Sequence, residues 1–225
     1  MNARIVALPL LAAAVAAAVW WQTPSRAAGP AATWRVGPVD DFSQARNYHG
    51  LPANSPVRLS FSCDAPRHVY VFSQSAEDGT LLLFPSPDVE GSPANPLPAG
   101  RTVLPGERES APVSWTTRQQ VRATTAFVVV AADRPLPELE ALLPRLRRWS
   151  NRLTSNRSMR VTKPAGDVAL AGLAGDPWPA ALLARAAQRS MTDTQINGPL
   201  PADEELPGVW SGSFRAREQR DPAGK

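Results

Sequence analysis

Hydrophobic and polar positions alternate along "VRLSFSC", residues 57–63, which is the pattern of a strand with one buried face. The next stretch, "HVYVFSQS" at residues 68–75, is apolar on both faces and predicts a central strand. Asp78-Gly79 follows, a pair that favours a tight turn because glycine adopts positive φ at low cost. The pattern therefore predicts a β-hairpin that joins residues 68–75 to the strand "TLLLFP".

Prolines end that strand and open a long connection. Pro85 and Pro87 cannot donate backbone hydrogen bonds to a neighbouring strand, so residues 86–100 are predicted to form a loop. "RTVLP" resumes as a short strand, and "VSWTTRQQVRATTAFVVVAADRP" predicts two more. The second of these, Ala126–Ala132, is rich in valine and suits the interior of a sheet.

The hydrophobic period changes after Pro135, where apolar residues recur at spacings of three and four. This pattern predicts one apolar face of a helix. Pro144 interrupts it, so we expect a kinked helix or two abutting ones. A second helix is predicted in "DPWPAALLARAAQRS", where Asp176 can cap the helix and Pro177 occupies its first position. The apolar face after Pro135 consists of Leu139, Leu142, Leu143, Leu146, Trp149 and Leu153.

These elements predict a mainly β fold, an antiparallel β-sandwich-like domain with one or two C-terminal helices. Residues 28–56 are punctuated by prolines and are predicted to be a linker or an edge segment. Residues 57–190 form the predicted β-rich domain with its packed C-terminal helices, and residues 191–225 are predicted to be a flexible tail.

Composition agrees with one domain plus tails. The chain has 225 residues, of which 43% are hydrophobic, and its 24 prolines and 14 glycines indicate many turns.

Residues 1–27 have the form of a signal peptide: Arg4 is followed by the apolar stretch Ile5–Trp21 and by the cleavage-type sequence Ser25-Arg26-Ala27. We therefore expect a periplasmic or secreted protein. The alternative is that residues 1–27 stay uncleaved as an inner-membrane anchor, with the domain facing the periplasm. The apolar stretch has 17 residues, which is the short limit of a membrane span of about 17 to 25 residues.

The net charge of the chain is small and favours no class of partner. The single cysteine means that packing, and not an internal disulfide, must stabilise the fold. Removing residues 1–27 takes away Arg4 and Arg26 and no acid, so the formal charge falls from +4 to +2. Cys63 is the only cysteine, so no internal disulfide can form. Its place on the apolar side of residues 57–63 predicts a buried, unreactive thiol. An intermolecular disulfide or a nucleophilic role has no supporting feature in the sequence.

The sequence gives no candidate catalytic, cofactor-binding or metal-binding residue, and we expect a protein without enzymatic activity. His49 and His68 are the only histidines, and they lack the spacing of a zinc site. No G-x-S-x-G elbow, P-loop or dinucleotide fingerprint occurs. Four oxygen-bearing residues near the loop are of the type that binds calcium, but their spacing matches no calcium loop, and solvated turns are expected. They are Asp78, Asp88, Glu90 and Asn95.

A basic stripe runs from Arg145 to Lys163 without an acid. A solvated helix face opposite the leucines is the simplest interpretation. An anionic lipid or another envelope polyanion is the alternative partner, while export makes nucleic acid unsuitable. The stripe consists of Arg145, Arg147, Arg148, Arg152, Arg157, Arg160 and Lys163.

The order "HVYVFSQSAEDGTLLLFP", "NPLPAGRTVLP" and "TAFVVVAADRPL" resembles the bacterial domain of unknown function family DUF4384. The resemblance covers roughly residues 57–143. It implies a β-rich module of exported or membrane-tethered proteins with no assigned enzymatic activity, and a loop at residues 86–100 that connects two strands. The positions that carry the resemblance are Gly79, Phe84, Pro85, Asn95, Gly100 and Pro105.

Together these features predict an exported, non-catalytic binding or scaffolding module of the bacterial cell envelope. Its partner would be an unknown envelope protein or an anionic envelope surface. The alternative is a membrane-anchored accessory component of a secretion or signalling assembly, with residues 1–27 as its tether. A hydrolase is the third hypothesis, and it would need His49 or His68 beside a nucleophile.

Overall fold

A computed structural model of the protein describes most of the domain that the sequence predicts. The ranges described are 29–37, 43–46, 49–51, 55–75, 79–86, 91–108, 110–116, 125–155 and 197–218. The predicted signal peptide at residues 1–27, the predicted second helix at 176–190 and the possible calcium ligands Asp78, Asp88 and Glu90 lie outside the described residues. Within these ranges, no helix is long and apolar enough to cross a membrane.

The described ranges contain 13 strands and one helix. In chain order they are β1 (Ala31–Val36), β2 (Ser43–Gln44), β3 (His49–Leu51), β4 (Pro56–Cys63), β5 (His68–Ser75), β6 (Gly79–Phe84), β7 (Gly100–Leu104), β8 (Glu107–Arg108), β9 (Ala111–Pro112), β10 (Trp115–Thr116), β11 (Thr125–Ala132), α1 (Pro137–Ser155), β12 (Asn197–Pro199) and β13 (Val209–Glu218).

Two sheets account for most of these strands. The outer sheet has the order β10-β4-β1-β12, with β2 also pairing with β1 and β7 with β4. The central sheet has the order β3-β13-β11-β5-β6. Strand pairs are antiparallel, except that β3 runs parallel to β13. A separate small ladder joins β8 to β9. The fold is mainly β, as the sequence predicts.

The first core lies between the outer and central sheets. Trp34 of β1 stands at its middle, with its ring centroid 5.1 Å from that of Phe214 and 5.8 Å from that of Phe127. Phe127 and Phe214 stack on adjacent strands of the central sheet with centroids 4.9 Å apart. Aromatic pairs at these distances stabilise a core beyond the area that they bury. The two sheets are therefore held together by rings from three different strands.

The second core lies on the opposite face of the central sheet, beneath α1. The helix contributes Leu139, which is fully buried, and Leu142, Leu143 and Leu146 to this cluster. Strand β5 supplies Tyr70 and Phe72 here, while its Val69 and Val71 face the first core. The central sheet is thus buried on both faces, which explains why β5 and β11 are apolar on both sides.

Most predicted elements of the middle of the chain are confirmed. Strands β4, β5, β7 and β11 follow the predicted ranges, and β5 and β6 form the predicted hairpin. Of the two strands predicted in "VSWTTRQQVRATTAFVVVAADRP", the first is described only at Trp115–Thr116. The helix is a single continuous element with Pro144 inside it, not two abutting helices.

The prediction that residues 28–56 form a linker or edge segment is wrong for β1, whereas β2 and β3 do lie at sheet edges. Strand β1 lies inside the outer sheet, between β4 on one side and β12 and β2 on the other. Its Ala32, Trp34 and Val36 are buried and alternate with half-buried residues. The alternation is present in the sequence, but it covers only six residues between prolines, which favoured an irregular segment.

The prediction of a flexible tail at residues 191–225 is also wrong for residues 197–218. Strand β13 pairs with β11 along eight residue pairs and with β3 on its other edge. Its hydrophobic pattern is weak because the buried positions between Trp210 and Phe214 are Ser211, Gly212 and Ser213. Small residues suit a strand that is covered on both faces, although a sequence pattern of hydrophobic residues does not detect them.

We expect Phe214→Ala to lower the free energy of unfolding by about 3 to 5 kcal/mol, the usual cost of removing a buried phenylalanine ring. Urea unfolding followed by tryptophan fluorescence measures this cost. Glu204→Ala, at an exposed position before the same strand, is the control and should change stability by less than about 0.5 kcal/mol. Equal stability of the Phe214 variant and the wild type would contradict the placement of β13 in the core.

Candidate binding surface

The outer sheet has one face on the first core and a second face on its opposite side, where the described residues are half-buried or exposed. In β1 and β4 the core positions alternate with residues on this second face, which we name the exposed face. The strand register extends the exposed face to β2, β7 and β12. Its described members are Ala31, Thr33, Arg35, Gln44, Pro56, Arg58, Ser60, Ser62, Arg101, Val103, Asn197 and Pro199.

The described part of the exposed face is cationic. It carries Arg35, Arg58 and Arg101, and none of its described members is acidic. Hydroxyl groups of Thr33 and Ser60 lie opposite each other in the register between these arginines. Guanidinium and hydroxyl groups are both hydrogen-bond donors to oxyanions. The face is therefore suited to a negatively charged partner.

Local geometry positions these arginines. Arg35 and Arg58 are directly opposed on β1 and β4, and such positions place Cβ atoms about 4.5 to 5.5 Å apart. Burial lowers the pKa of Arg58 from its usual value, yet a guanidinium stays charged at neutral pH. Arg101 donates from Nε to Ser60 Oγ at 2.8 Å, which holds its guanidinium on the same face.

The sequence pattern contains these residues but did not single them out. Arg58, Ser60 and Ser62 are the polar positions of the predicted strand at 57–63, and Arg35 occupies the same kind of position in β1. Their common face becomes visible only when the pairing of β1, β4 and β7 is known. Alternation of polar and apolar residues shows which residues share one face of a single strand. A charged surface is formed by several strands, and their pairing is not visible in the sequence.

The basic stripe of residues 145–163 is described only in part. Arg145 is exposed and Arg147 is half-buried on α1. The side chains of Arg148 and Arg152, and residues 157, 160 and 163, lie outside the described part of the chain. Helix α1 packs on the far face of the central sheet, so Arg145 lies in a different layer from the exposed face. The basic stripe and the exposed face can therefore be tested by separate substitutions.

A charged cluster at one end of the sandwich is structural. The Arg67 guanidinium binds Asp133 and donates to Asp64 Oδ1 at 3.1 Å. It also lies 5.0 Å from the ring centroid of Trp210, within the range of cation–π attraction. Gly208 approaches the same Asp133 so closely that a Cβ there would lie 2.7 Å from the carboxylate. Arg67 therefore ties the β4–β5 turn to the end of β11 and the start of β13.

Asn95, in the loop at residues 86–100, binds the backbone of a neighbouring strand. Its Oδ1 accepts a hydrogen bond from the backbone N–H of Val69 at 2.9 Å, and the neighbouring Leu97 is fully buried. Arg67 and Leu97 also exchange two backbone hydrogen bonds. The sequence predicts a solvated turn residue, and the structure shows instead that Asn95 binds the β5 strand. The described part of this loop is a packed connection between strands.

Cys63 is buried, as the sequence predicts, and its Sγ lies 3.4 Å from the backbone oxygen of Pro98. Burial raises the pKa of the thiol, so the reactive thiolate is disfavoured.

His68 begins β5 and is half-buried, whereas the side chain of His49 lies outside what the structure describes. Among the described residues, no three histidine, cysteine or acidic side chains are grouped as a metal site requires.

Tyr70 and Glu140 form a partly buried polar contact that the sequence did not predict. Tyr70 OH donates to Glu140 Oε1 at 2.5 Å and accepts from the backbone N–H of Leu136 at 3.4 Å. These bonds join β5 to the first turn of α1. Burial is the main cause that raises the pKa of Tyr70 strongly, and the hydrogen bond to Glu140 adds to it. The contact fixes the helix over the central sheet.

No family model matches the chain, no curated protein matches it, and no solved structure matches it. The resemblance drawn from residues 57–143 therefore stays a prediction.

We expect alkaline pH to lower the free energy of unfolding because of Tyr70. The folded protein holds the Tyr70 proton more tightly than the unfolded chain. This contribution to stability is present below the ordinary tyrosine pKa of about 10 and is lost as the pH rises beyond it. Phenolate absorbance and urea unfolding at pH 9 to 12 measure the effect.

Tyr70→Phe is the control, because it removes the titrating group and should flatten this part of the pH dependence. The chain has only two tyrosines, so the absorbance lost in the variant belongs to Tyr70. Ionisation of Tyr70 in the folded protein at its ordinary pKa would contradict its burial beneath α1.

Proposed function

We propose that this protein is an exported, non-catalytic binding or scaffolding module of the bacterial cell envelope, and that it binds an anionic envelope surface. The observation that carries the proposal is the exposed face, where Arg35, Arg58 and Arg101 stand without an acid among the described members. The signal-peptide pattern of residues 1–27 supplies the location. Resemblance to exported domains of unknown function agrees with this assignment.

The composition of the exposed face favours a charged, hydrated partner. Its described members include no aromatic residue, and its apolar members are small or scattered. A protein interface of ordinary type would have an apolar, aromatic-rich centre, and single-stranded nucleic acid would need stacking rings. Phosphate headgroups of an anionic membrane need only cationic donors near the surface.

The second candidate is a membrane-anchored accessory component of a secretion or signalling assembly. Its support is the length of the apolar stretch Ile5–Trp21. Strand β1 begins at Ala31, so a retained anchor would hold the outer sheet close to the membrane. Both candidates use the same domain, and they differ in the fate of residues 1–27.

We expect Arg35→Gln/Arg101→Gln to weaken binding to phosphatidylglycerol vesicles. Each basic residue near an anionic membrane contributes about 1 kcal/mol, so the loss of two should weaken binding about 30-fold. Vesicle sedimentation at low and high salt measures this, because screening reduces such binding. Phosphatidylcholine vesicles should bind neither protein.

The matched control is Arg134→Gln/Arg145→Gln, which removes two exposed charges away from the exposed face. This variant should bind the vesicles nearly as well as the wild type. If the control loses binding and the first variant keeps it, the basic stripe of α1 is the contact surface. If the wild type does not bind anionic vesicles at any salt concentration, the proposed partner is wrong.

We expect the natively expressed protein to be found in the soluble periplasmic fraction with a mass that begins at Ala28. The reason is the cleavage-type sequence before that residue. Intact mass spectrometry after cell fractionation provides the measurement. A full-length mass in the membrane fraction would support the anchored alternative in place of the free module.

A further inference from the structure

Two short strands, β2 and β12, pair with the same edge of β1, one after the other. Residues 31–33 of β1 pair with β12, and residues 35–36 pair with β2, while β4 occupies the opposite edge. Asn197 begins β12, and its Nδ2 donates to the backbone oxygen of Ala45, directly after β2, at 2.9 Å. We propose that Asn197 is a site of deamidation, and that the pairing of β2 and β12 with β1 controls the reaction.

The reaction needs an asparagine that is followed by an unhindered backbone nitrogen. The nitrogen of Gly198 attacks Cγ of Asn197, and a bond forms between them while the bond from Cγ to Nδ2 breaks. Nδ2 leaves as ammonia and takes the proton of the Gly198 amide. Water then opens the cyclic imide at either of its carbonyl carbons, which leaves aspartate or isoaspartate at position 197. Glycine favours the attack because it has no Cβ, and the chain has one Asn-Gly pair.

The folded strands engage both reacting groups. Leu200 donates its backbone N–H to the oxygen of Pro30. Hydrogen-bonded pairs alternate along an antiparallel ladder, so the next such pair is Ala32 and Gly198, and the Gly198 N–H points at β1. The leaving group, Nδ2, is bound to the oxygen of Ala45. The attack therefore requires that β12 separate from β1.

The product cannot restore the contact with Ala45. A carboxylate only accepts hydrogen bonds, so the oxygen that replaces Nδ2 would face the backbone oxygen of Ala45, which is also an acceptor. Asn197 Oδ1 is buried and, among the described residues, no donor binds it. A charge placed there loses solvation without gaining a partner. Isoaspartate in addition lengthens the backbone of β12 and breaks its register. Deamidation is thus a one-way switch that weakens the hold of β2 and β12 on the edge of β1.

Peptide-level mass spectrometry measures the rate of deamidation at residue 197. The protein is kept at mildly alkaline pH, either folded or in guanidinium chloride above its unfolding midpoint. We expect a rate at least about 10-fold lower in the folded protein, because the reaction must wait for local opening of the strands. Equal rates would overturn the control by strand pairing, and no deamidation in guanidinium chloride would overturn the site. Gly198→Ala should slow the reaction in guanidinium chloride, and an unchanged rate would contradict the attack by the Gly198 nitrogen.

Asn197→Asp tests the one-way switch, because it places the carboxylate of the product beside Ala45 from the start. We expect this variant to have a lower thermal midpoint than the wild type. Gln44→Glu is the matched control, since it makes the same change from amide to carboxylate at an exposed residue of β2 and should not lower the midpoint. An unchanged midpoint of Asn197→Asp, or an equal fall in both variants, would contradict the switch.

Discussion

Burial of the central sheet on both of its faces is the constraint on which the rest of the structure depends. Strand β11 sends Phe127, Val129 and Ala131 into the core beneath the outer sheet and Val128, Val130 and Ala132 into the core beneath α1. A sheet with two apolar faces needs a cover on each. The outer sheet provides one cover and the leucine face of α1 provides the other. Strand β13 must return from the end of the chain because β11 would otherwise have an unpaired edge in the middle of the domain.

This arrangement uses most of the conspicuous polar groups for structure. Asn95 binds the backbone of β5, Glu140 binds Tyr70 beneath the helix, and Arg67 joins one end of the sandwich. Each of these contacts supplies a hydrogen bond in place of those that a polar group loses when it is removed from water. The second face of the outer sheet carries Arg35, Arg58 and Arg101, and none of its described members is acidic. The proposed function follows from the positive charge of these described residues.

The strands in the middle of the chain could be predicted from sequence because each has several large apolar residues in a clear period. Strand β13 could not, since Ser211, Gly212 and Ser213 fill positions that are buried on both faces and leave no hydrophobic pattern. Strand β1 was missed because six residues between prolines carry too short a pattern. The candidate surface was missed for a different reason: Arg35 and Arg101 are far from Arg58 in sequence, and only the pairing of β1 and β7 with β4 brings them to one face. Tyr70 was identified as a strand residue, but its bond to Glu140 depends on where α1 packs.

Arginine-specific chemical modification with and without phosphatidylglycerol vesicles, read by mass spectrometry, tests the central claim most directly. It reports on every arginine of the folded wild-type protein in one experiment, without substitutions. The structure predicts that vesicles protect Arg35 and Arg101 while the exposed Arg134 and Arg145 react as fast as before. Protection of Arg145 with no change at Arg35 and Arg101 would contradict the account, because the contact would then lie on the helix and not on the outer sheet.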